Sequence, residues 1–280
     1  MSDKYVKDNF EHDGIFVDYI KPGHEAPHPL GLPLLFIHGG FHGSWCWHYY
    51  LKYFATAGYE CYALNWYNHY KSAALPMEQF VNRSIVDVTE EIDKIVDYLK
   101  LTPVIVGWSM GGLAALKYAE QSLLPGLVLI TPGIPLEAGG AHIELPIPYD
   151  DQQPFSPPPF EIAKELFLQG VDEERAKHYY SLLCPESAKA VREVMDTGHA
   201  ISVDKTKISH PILVLGAECD RLAPPDLVRN TADVYAADYI YIRGKGHNLL
   251  TECGWQETAE LIVKWLRRMD MLSGARAYGL

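Results

Sequence analysis

The stretch Gly107-Trp108-Ser109-Met110-Gly111-Gly112 sets a serine between two glycines. It follows the apolar run Pro103-Val104-Ile105-Val106 and precedes Leu113-Ala114-Ala115-Leu116. In that strand–turn–helix setting, G-x-S-x-G makes a sharp elbow that exposes a serine hydroxyl. Gly107 and Gly111 fit the elbow because its backbone segments come too close for a Cβ. The helix start behind it supplies unpaired N–H groups and positive potential. Ser109 is therefore the candidate nucleophile.

A serine hydroxyl needs a base, and the base needs an orienting acid. His247 occupies a small glycine-flanked loop, Arg243-Gly244-Lys245-Gly246-His247-Asn248, after the last apolar run. Asp220 stands in Gly216-Ala217-Glu218-Cys219-Asp220 after the run before it, with Glu218 as the competing acid. The chain order Ser109, Asp220, His247 suits acyl transfer at an exposed elbow. A developing oxyanion needs two donors. The motif His38-Gly39-Gly40-Phe41 offers the Gly40 amide, and the residue after the nucleophile offers the Met110 amide. His38 is expected to order this loop from beneath. Phe41, His42, Trp108 and Met110 flank the loop and elbow, so a substrate pocket should draw on them.

These residues need a frame that brings strand ends together. Strands are expected at Ile15–Ile20, Pro33–His38, Tyr59–Leu64, Pro103–Trp108, Gly126–Thr131, Pro211–Gly216 and Asp238–Arg243. Runs such as Leu34-Leu35-Phe36-Ile37 are apolar throughout, as in parallel strands buried on both faces. Helices are expected between them. The clearest is Met77–Lys100, where Ile85, Val88, Ile92, Ile95 and Leu99 recur at spacings of three and four. The alternation predicts an α/β fold with a mostly parallel central sheet and helices on both faces. Residues 133–209 break the rhythm. A proline-rich stretch, including Pro146, Pro148, Pro154 and Pro157-Pro158-Pro159, precedes helical patterns at about Phe160–Gln169, Asp172–Leu183 and Pro185–Thr197. The expected organisation is a core of 1–132 and 210–280 with a helical cap of 133–209 inserted in it. Leu145, Ile147, Tyr149, Phe155, Phe160, Phe167, Tyr179 and Tyr180 give that cap an apolar and aromatic character.

Over nearly its whole length the chain resembles the α/β-hydrolase superfamily. The stretch His38-Gly39-Gly40-Phe41-His42-Gly43-Ser44-Trp45-Cys46-Trp47 is similar to the oxyanion-loop region of the plant methylesterase and hydroxynitrile lyase group. The elbow is similar to those of bacterial carboxylesterases and cofactor-free haloperoxidase-like enzymes. The resemblance implies Ser109, Asp220 and His247 as triad, Gly40 and Met110 as oxyanion donors, and a helical cap. One departure is plain. Many relatives carry Asp-x-x-Gly-x-Gly-x-Ser after the third strand, whereas Leu64-Asn65-Trp66-Tyr67-Asn68-His69-Tyr70-Lys71-Ser72 is aromatic and glycine-free.

Composition narrows the alternatives. The 280 residues carry 24 Lys+Arg against 36 Asp+Glu, a formal charge of −12, which disfavours a nucleic-acid partner or an anionic membrane. His38, His42, His48 and His69 lack metal-ligand spacing, and no phosphate-binding glycine motif occurs. The five cysteines are odd in number and form no C-x-x-C pair. The expectation is a cytoplasmic serine esterase acting on an ester, thioester or lactone of an apolar or aromatic small molecule. It needs neither metal nor cofactor, and a homodimer is allowed. Lyase or cyclase-like chemistry on the same triad is the alternative, with Lys245 the nearest cation to the histidine in sequence. A ligand receptor on this fold is the third reading.

Overall fold

The computed structural model describes residues 4–23, 32–143 and 149–277, with side chains described as far as Met269. Leu145, Pro146, Ile147 and Pro148 lie outside the described residues. Eight strands form the sheet: β1 (Tyr5–His12), β2 (Ile15–Pro22), β3 (Leu34–Ile37), β4 (Cys61–Leu64), β5 (Val104–Trp108), β6 (Leu127–Ile130), β7 (Ile212–Ala217) and β8 (Asp238–Ile242). Their spatial order is β1-β2-β4-β3-β5-β6-β7-β8. β1 and β2 pair antiparallel, as do β2 and β4, and all later pairs are parallel. Nine helices accompany them among the described residues: α1 (His48–Thr56), α2 (Met77–Val81), α3 (Val88–Leu99), α4 (Met110–Ala119), α5 (Phe160–Phe167), α6 (Glu173–Ser181), α7 (Ala188–Met195), α8 (Pro225–Val234) and α9 (Trp255–Ala277).

Successive strand side chains point to opposite faces, so the continuous apolar runs split into two cores. Leu35, Ile105, Leu129 and Val214 pack under Ile92 of α3, Leu113 of α4 and Val228 of α8. Phe36, Val106, Val128 and Leu213 pack under Phe54 of α1 and Ile262 and Leu266 of α9. The expected sheet with helices on both faces is what forms.

Two expectations change. β1 falls in a segment too polar to read as a strand, because it is an edge strand with Lys7, Asp8 and Glu11 toward solvent. Its signal was Asp13-Gly14, the two-residue turn, with φ of 50° and 75°, that joins it to β2. The single helix expected over Met77–Lys100 is broken. Ser84 restarts the chain as a cap: its hydroxyl accepts from the Val86 amide, and its own amide donates to Asp87. The Glu193 carboxylate, from α7, accepts from Ser84 and the Ile85 amide and fixes the break against the inserted segment.

Between β6 and β7 the chain carries α5, α6 and α7. Asp172 caps α6, its carboxylate accepting from the Arg175 amide 3.0 Å away. Ser187 caps α7, which begins at Ala188, three residues later than the expected start at Pro185. Phe160, Tyr179 and Tyr180 pack into a small core of their own with Ala163, Phe167 and Ala176.

Candidate active site

Every candidate residue of the triad and oxyanion loop lies just beyond the carboxyl end of a parallel strand: His38–Gly40 after β3, Ser109 after β5, Asp220 after β7 and His247 after β8. That is where ligand sites collect in open α/β sheets. Ser109 holds φ 55° and ψ −125°, a left-handed geometry that costs a non-glycine residue about 1–3 kcal/mol. Neighbours enforce it. The Ser109 amide donates to Ile130, and its carbonyl accepts from Gly112 and Gly133 at 2.9 and 2.8 Å. A Cβ at Gly107 would lie 2.6 Å from the Gly111 carbonyl oxygen, so no larger residue fits.

His247 bridges serine and acid. Its Nε2 is 2.8 Å from Ser109 Oγ, and its Nδ1 is 2.8 Å from Asp220 Oδ2. A carboxylate can only accept, so Nδ1 carries the proton and Nε2 is left to accept from the serine hydroxyl. The other Asp220 oxygen accepts from the Leu222 and Ala223 amides at 2.8 and 2.9 Å, which fixes the carboxylate. The His247 carbonyl takes bonds from Trp108 Nε1 and Thr131 Oγ1, tying its loop to the elbow and to β6. Glu218 is exposed and accepts from the Gly244 amide at 2.7 Å, so it braces the loop and does not meet the imidazole. The Lys245 ammonium is engaged by the Cys253 carbonyl and is not part of the cavity wall.

The His38–Gly40 loop lies directly against Ser109. A Cβ at Gly39 would be 3.0 Å from Ser109 Cβ, and one at Gly40 would collide with Met110 Sδ. Neither the Gly40 nor the Met110 amide donates elsewhere among the described residues. His38 is buried, its Nδ1 2.8 Å from the Gly39 carbonyl and its Nε2 facing the Trp66 amide. Burial holds its pKa well below the usual histidine range. It is therefore a neutral strut beneath the loop. His42 is also buried and neutral, with burial pushing its pKa down to about 3. Its Nδ1 lies 2.7 Å from the Gly40 carbonyl, while Nε2 has no partner among the described residues.

A cavity of about 640 Å³, counted to its open mouth, reaches Ser109 and His247. Phe41, His42, Trp108 and Met110 all line it, as does Gly40. Of the aromatic residues singled out in the inserted segment, only Phe167 reaches it. Phe155 and Tyr149 instead hold the segment together, Tyr149 by a bond to the Ala188 carbonyl. The wall also draws on Leu166, Val191, Val194 and Met195, which sequence reading missed. Their signal was the spacing 191, 194, 195, one face of a helix. Among the described residues the lining contains no Lys, Arg, Asp or Glu.

A second buried cluster was also missed. His69, in the glycine-free loop after β4, places Nε2 2.9 Å from Glu186 Oε2. Burial alone would lower the His69 pKa, but the Glu186 carboxylate overrides this and raises it to about 10. Glu186 in turn is held below its usual range despite burial. Trp66 Nε1 also directs its N–H at His69 Nε2, 2.8 Å away, and His69 Nδ1 lies 3.0 Å from the Tyr67 carbonyl. Neither residue sits in a recognisable motif, so nothing in the sequence joins positions 117 apart.

A family model described as "Alpha/beta hydrolase family" matches residues 34–261, most of the chain. The chain belongs to the alpha/beta hydrolase family. Solved structures agree on this alpha/beta hydrolase's fold. A monoacylglycerol lipase of Paleococcus ferrophilus is 20% identical with a TM-score of 0.64, over 95% of this chain and 99% of that one. An esterase of Thermogutta terrifontis is 20% identical with a TM-score of 0.65, over 95% and 99%. An esterase of Exiguobacterium antarcticum is 17% identical with a TM-score of 0.69, over 90% and 95%. No curated protein matches this alpha/beta hydrolase by sequence. Among its described residues no helix is long and apolar enough to cross a membrane, and no cluster of three or more metal-ligating side chains forms.

Proposed function

We propose that this chain is a serine hydrolase cleaving carboxylic esters, thioesters or lactones of apolar or aromatic small molecules. The observation that carries the reading is the unbroken line Ser109–His247–Asp220, with both links at 2.8 Å, opening on a cavity whose described lining carries no Lys, Arg, Asp or Glu. Ser109 Oγ attacks the carbonyl carbon while His247 Nε2 takes its proton. The carbonyl π pair moves onto oxygen, and the Gly40 and Met110 amides stabilise that oxyanion. Collapse expels the alcohol, thiol or ring oxygen, which receives the proton from His247. Water, deprotonated by His247, then attacks the acyl-serine, and the acid leaves as Ser109 regains its proton. Asp220 keeps the imidazole tautomer and stabilises the imidazolium.

Residues 133–209 act as the cap in this reading, with Leu166, Phe167 and the α7 face forming the roof over the acyl group. An apolar wall suits an apolar acyl chain and disfavours sugars and phosphates. The esterases and the lipase of like fold accord with ester chemistry. Hydrolysis is favoured over lyase chemistry because the Lys245 ammonium, the nearest cation in sequence, is directed at a main-chain carbonyl and away from the cavity.

The test is intact-protein mass spectrometry after exposure to a fluorophosphonate, for wild type and Ser109→Ala. One adduct on the wild type, absent in S109A, is expected. An ester, thioester and lactone panel in 18O-labelled water should then place the label in the acid product. No adduct, or product without label, would overturn the reading.

A further inference from the structure

Phe41 follows the proposed oxyanion donor Gly40 directly and holds φ 65°, a left-handed conformation that a bulky residue keeps only when its surroundings impose it. Both of its main-chain polar groups are held by one short stretch of the inserted segment. Its amide donates to Glu186 Oε2 at 3.3 Å, and its carbonyl accepts from the Cys184 amide at 3.0 Å. Glu186 is itself fixed from three further directions. Its Oε1 accepts from the Ser187 amide at 2.8 Å, its main chain pairs with Phe155, and its Oε2 meets His69. It also lies alongside Gly40, since a Cβ there would be 3.5 Å from Glu186 Oε2.

We infer that Glu186, braced by His69, is a positioning residue for the oxyanion loop: it holds Phe41 in its left-handed turn and so aims the Gly40 amide at the reacting carbonyl. The inserted segment thereby contributes to catalysis through the backbone of the core, not only through the cavity roof. Docking of residues 184–186 and assembly of the oxyanion donors become one event. A carboxylate suits the role because its two oxygens accept from the Phe41 and Ser187 amides together, which a neutral amide side chain does less strongly. The inference rests on the proposed role of Gly40 and Met110.

The experiment compares wild type with Glu186→Gln on a p-nitrophenyl ester, together with inhibition by an alkyl trifluoromethyl ketone. That ketone adds to the serine and presents an oxyanion in the same place. In E186Q, kcat should fall at least 30-fold with KM within about twofold, and ketone affinity should fall in proportion to kcat/KM. A merely structural role would not couple those two losses. Circular dichroism and thermal melting report whether E186Q is folded. If it is not, Glu186→Asp, which keeps the charge opposite His69 but withdraws from Phe41, should show the same split. A folded variant with kcat within threefold of wild type would overturn the inference, as would a rise in KM with kcat retained. A wild type that hydrolyses no ester would remove the proposed function itself and this inference with it. A hydrolytic wild type matched by its variant would remove only the inference.

Discussion

Gly111 faces the main-chain carbonyl of His38, and a Cβ at position 111 would overlap that oxygen. The helix that begins after Ser109 and the loop that follows β3 are therefore pressed together at backbone distance. Carbonyl oxygens cannot rotate away as side chains do, so the contact tolerates no added atom.

Gly111→Ala should accordingly disturb both elements. Overpacking of this kind costs about 1–3 kcal/mol, which for a chain of this size is a melting shift of roughly 2–12 °C. Hydrolysis should fall further than stability implies, because Ser109 and Gly40 separate. Thermal melts and ester kinetics on the same preparation check this. Unchanged kinetics would show that the two elements need not stay in register.

Asp220 and Glu218 are two residues apart but only Asp220 meets His247. Asp220→Asn should lower kcat by about 10⁴-fold, since the amide permits the wrong imidazole tautomer. Glu218→Gln should stay within about threefold of wild type. The reverse ranking would reassign the acid.

Val194 lies on the cavity wall from α7 and close to Gly133. Val194→Trp should fill the acyl side. We expect kcat/KM for a long-chain p-nitrophenyl ester to fall at least tenfold, with the acetate ester changing less than threefold. Equal losses for both would place the acyl chain elsewhere.

His69 and Glu186 make stability depend on pH in a definite direction. A histidine raised to about 10 in the fold contributes stability that is full below its unfolded pKa of about 6.5. That contribution drains away as pH rises through about 10. Glu186, held below its usual range, contributes above its unfolded pKa and loses its contribution as pH falls through the lowered value. Imidazole nitrogen NMR should show His69 still doubly protonated at pH 8. The gap in urea stability between wild type and the double variant His69→Gln/Glu186→Gln should be wide near pH 6 and narrow by pH 10. A neutral His69 at pH 8 would mean that burial prevails over the carboxylate.

The sequence by itself determined the parts whose physics is local. Glycines at 107 and 111 around Ser109, between an apolar run and a helical pattern, specify an elbow because backbone crowding there excludes side chains. Runs apolar at every position specify buried parallel strands, and residues at their carboxyl ends follow from the order of the elements. That is why Asp220, His247 and the Gly40 loop could be named, and why the sheet with helices on both faces was legible. Tertiary structure decided whatever depends on distant segments meeting. The choice of Asp220 over Glu218 turns on a loop direction that no pattern encodes, namely which carboxylate reaches the imidazole and which turns to Gly244.

 

The distinction rests on the contacts alone, Asp220 at 2.8 Å from His247 Nδ1 and Glu218 at 2.7 Å from the Gly244 amide.

The break at Ser84 has a local part, the reciprocal cap with Asp87, and a distant one: Glu193, more than a hundred residues away, accepts from the Ile85 amide and favours a new helix start over a continuous helix. The cavity wall from α7 and the His69–Glu186 pair are of the same kind. A buried charge is tolerable only with its partner in place, and the partner's position is set by how the inserted segment docks, which no local pattern of residues records.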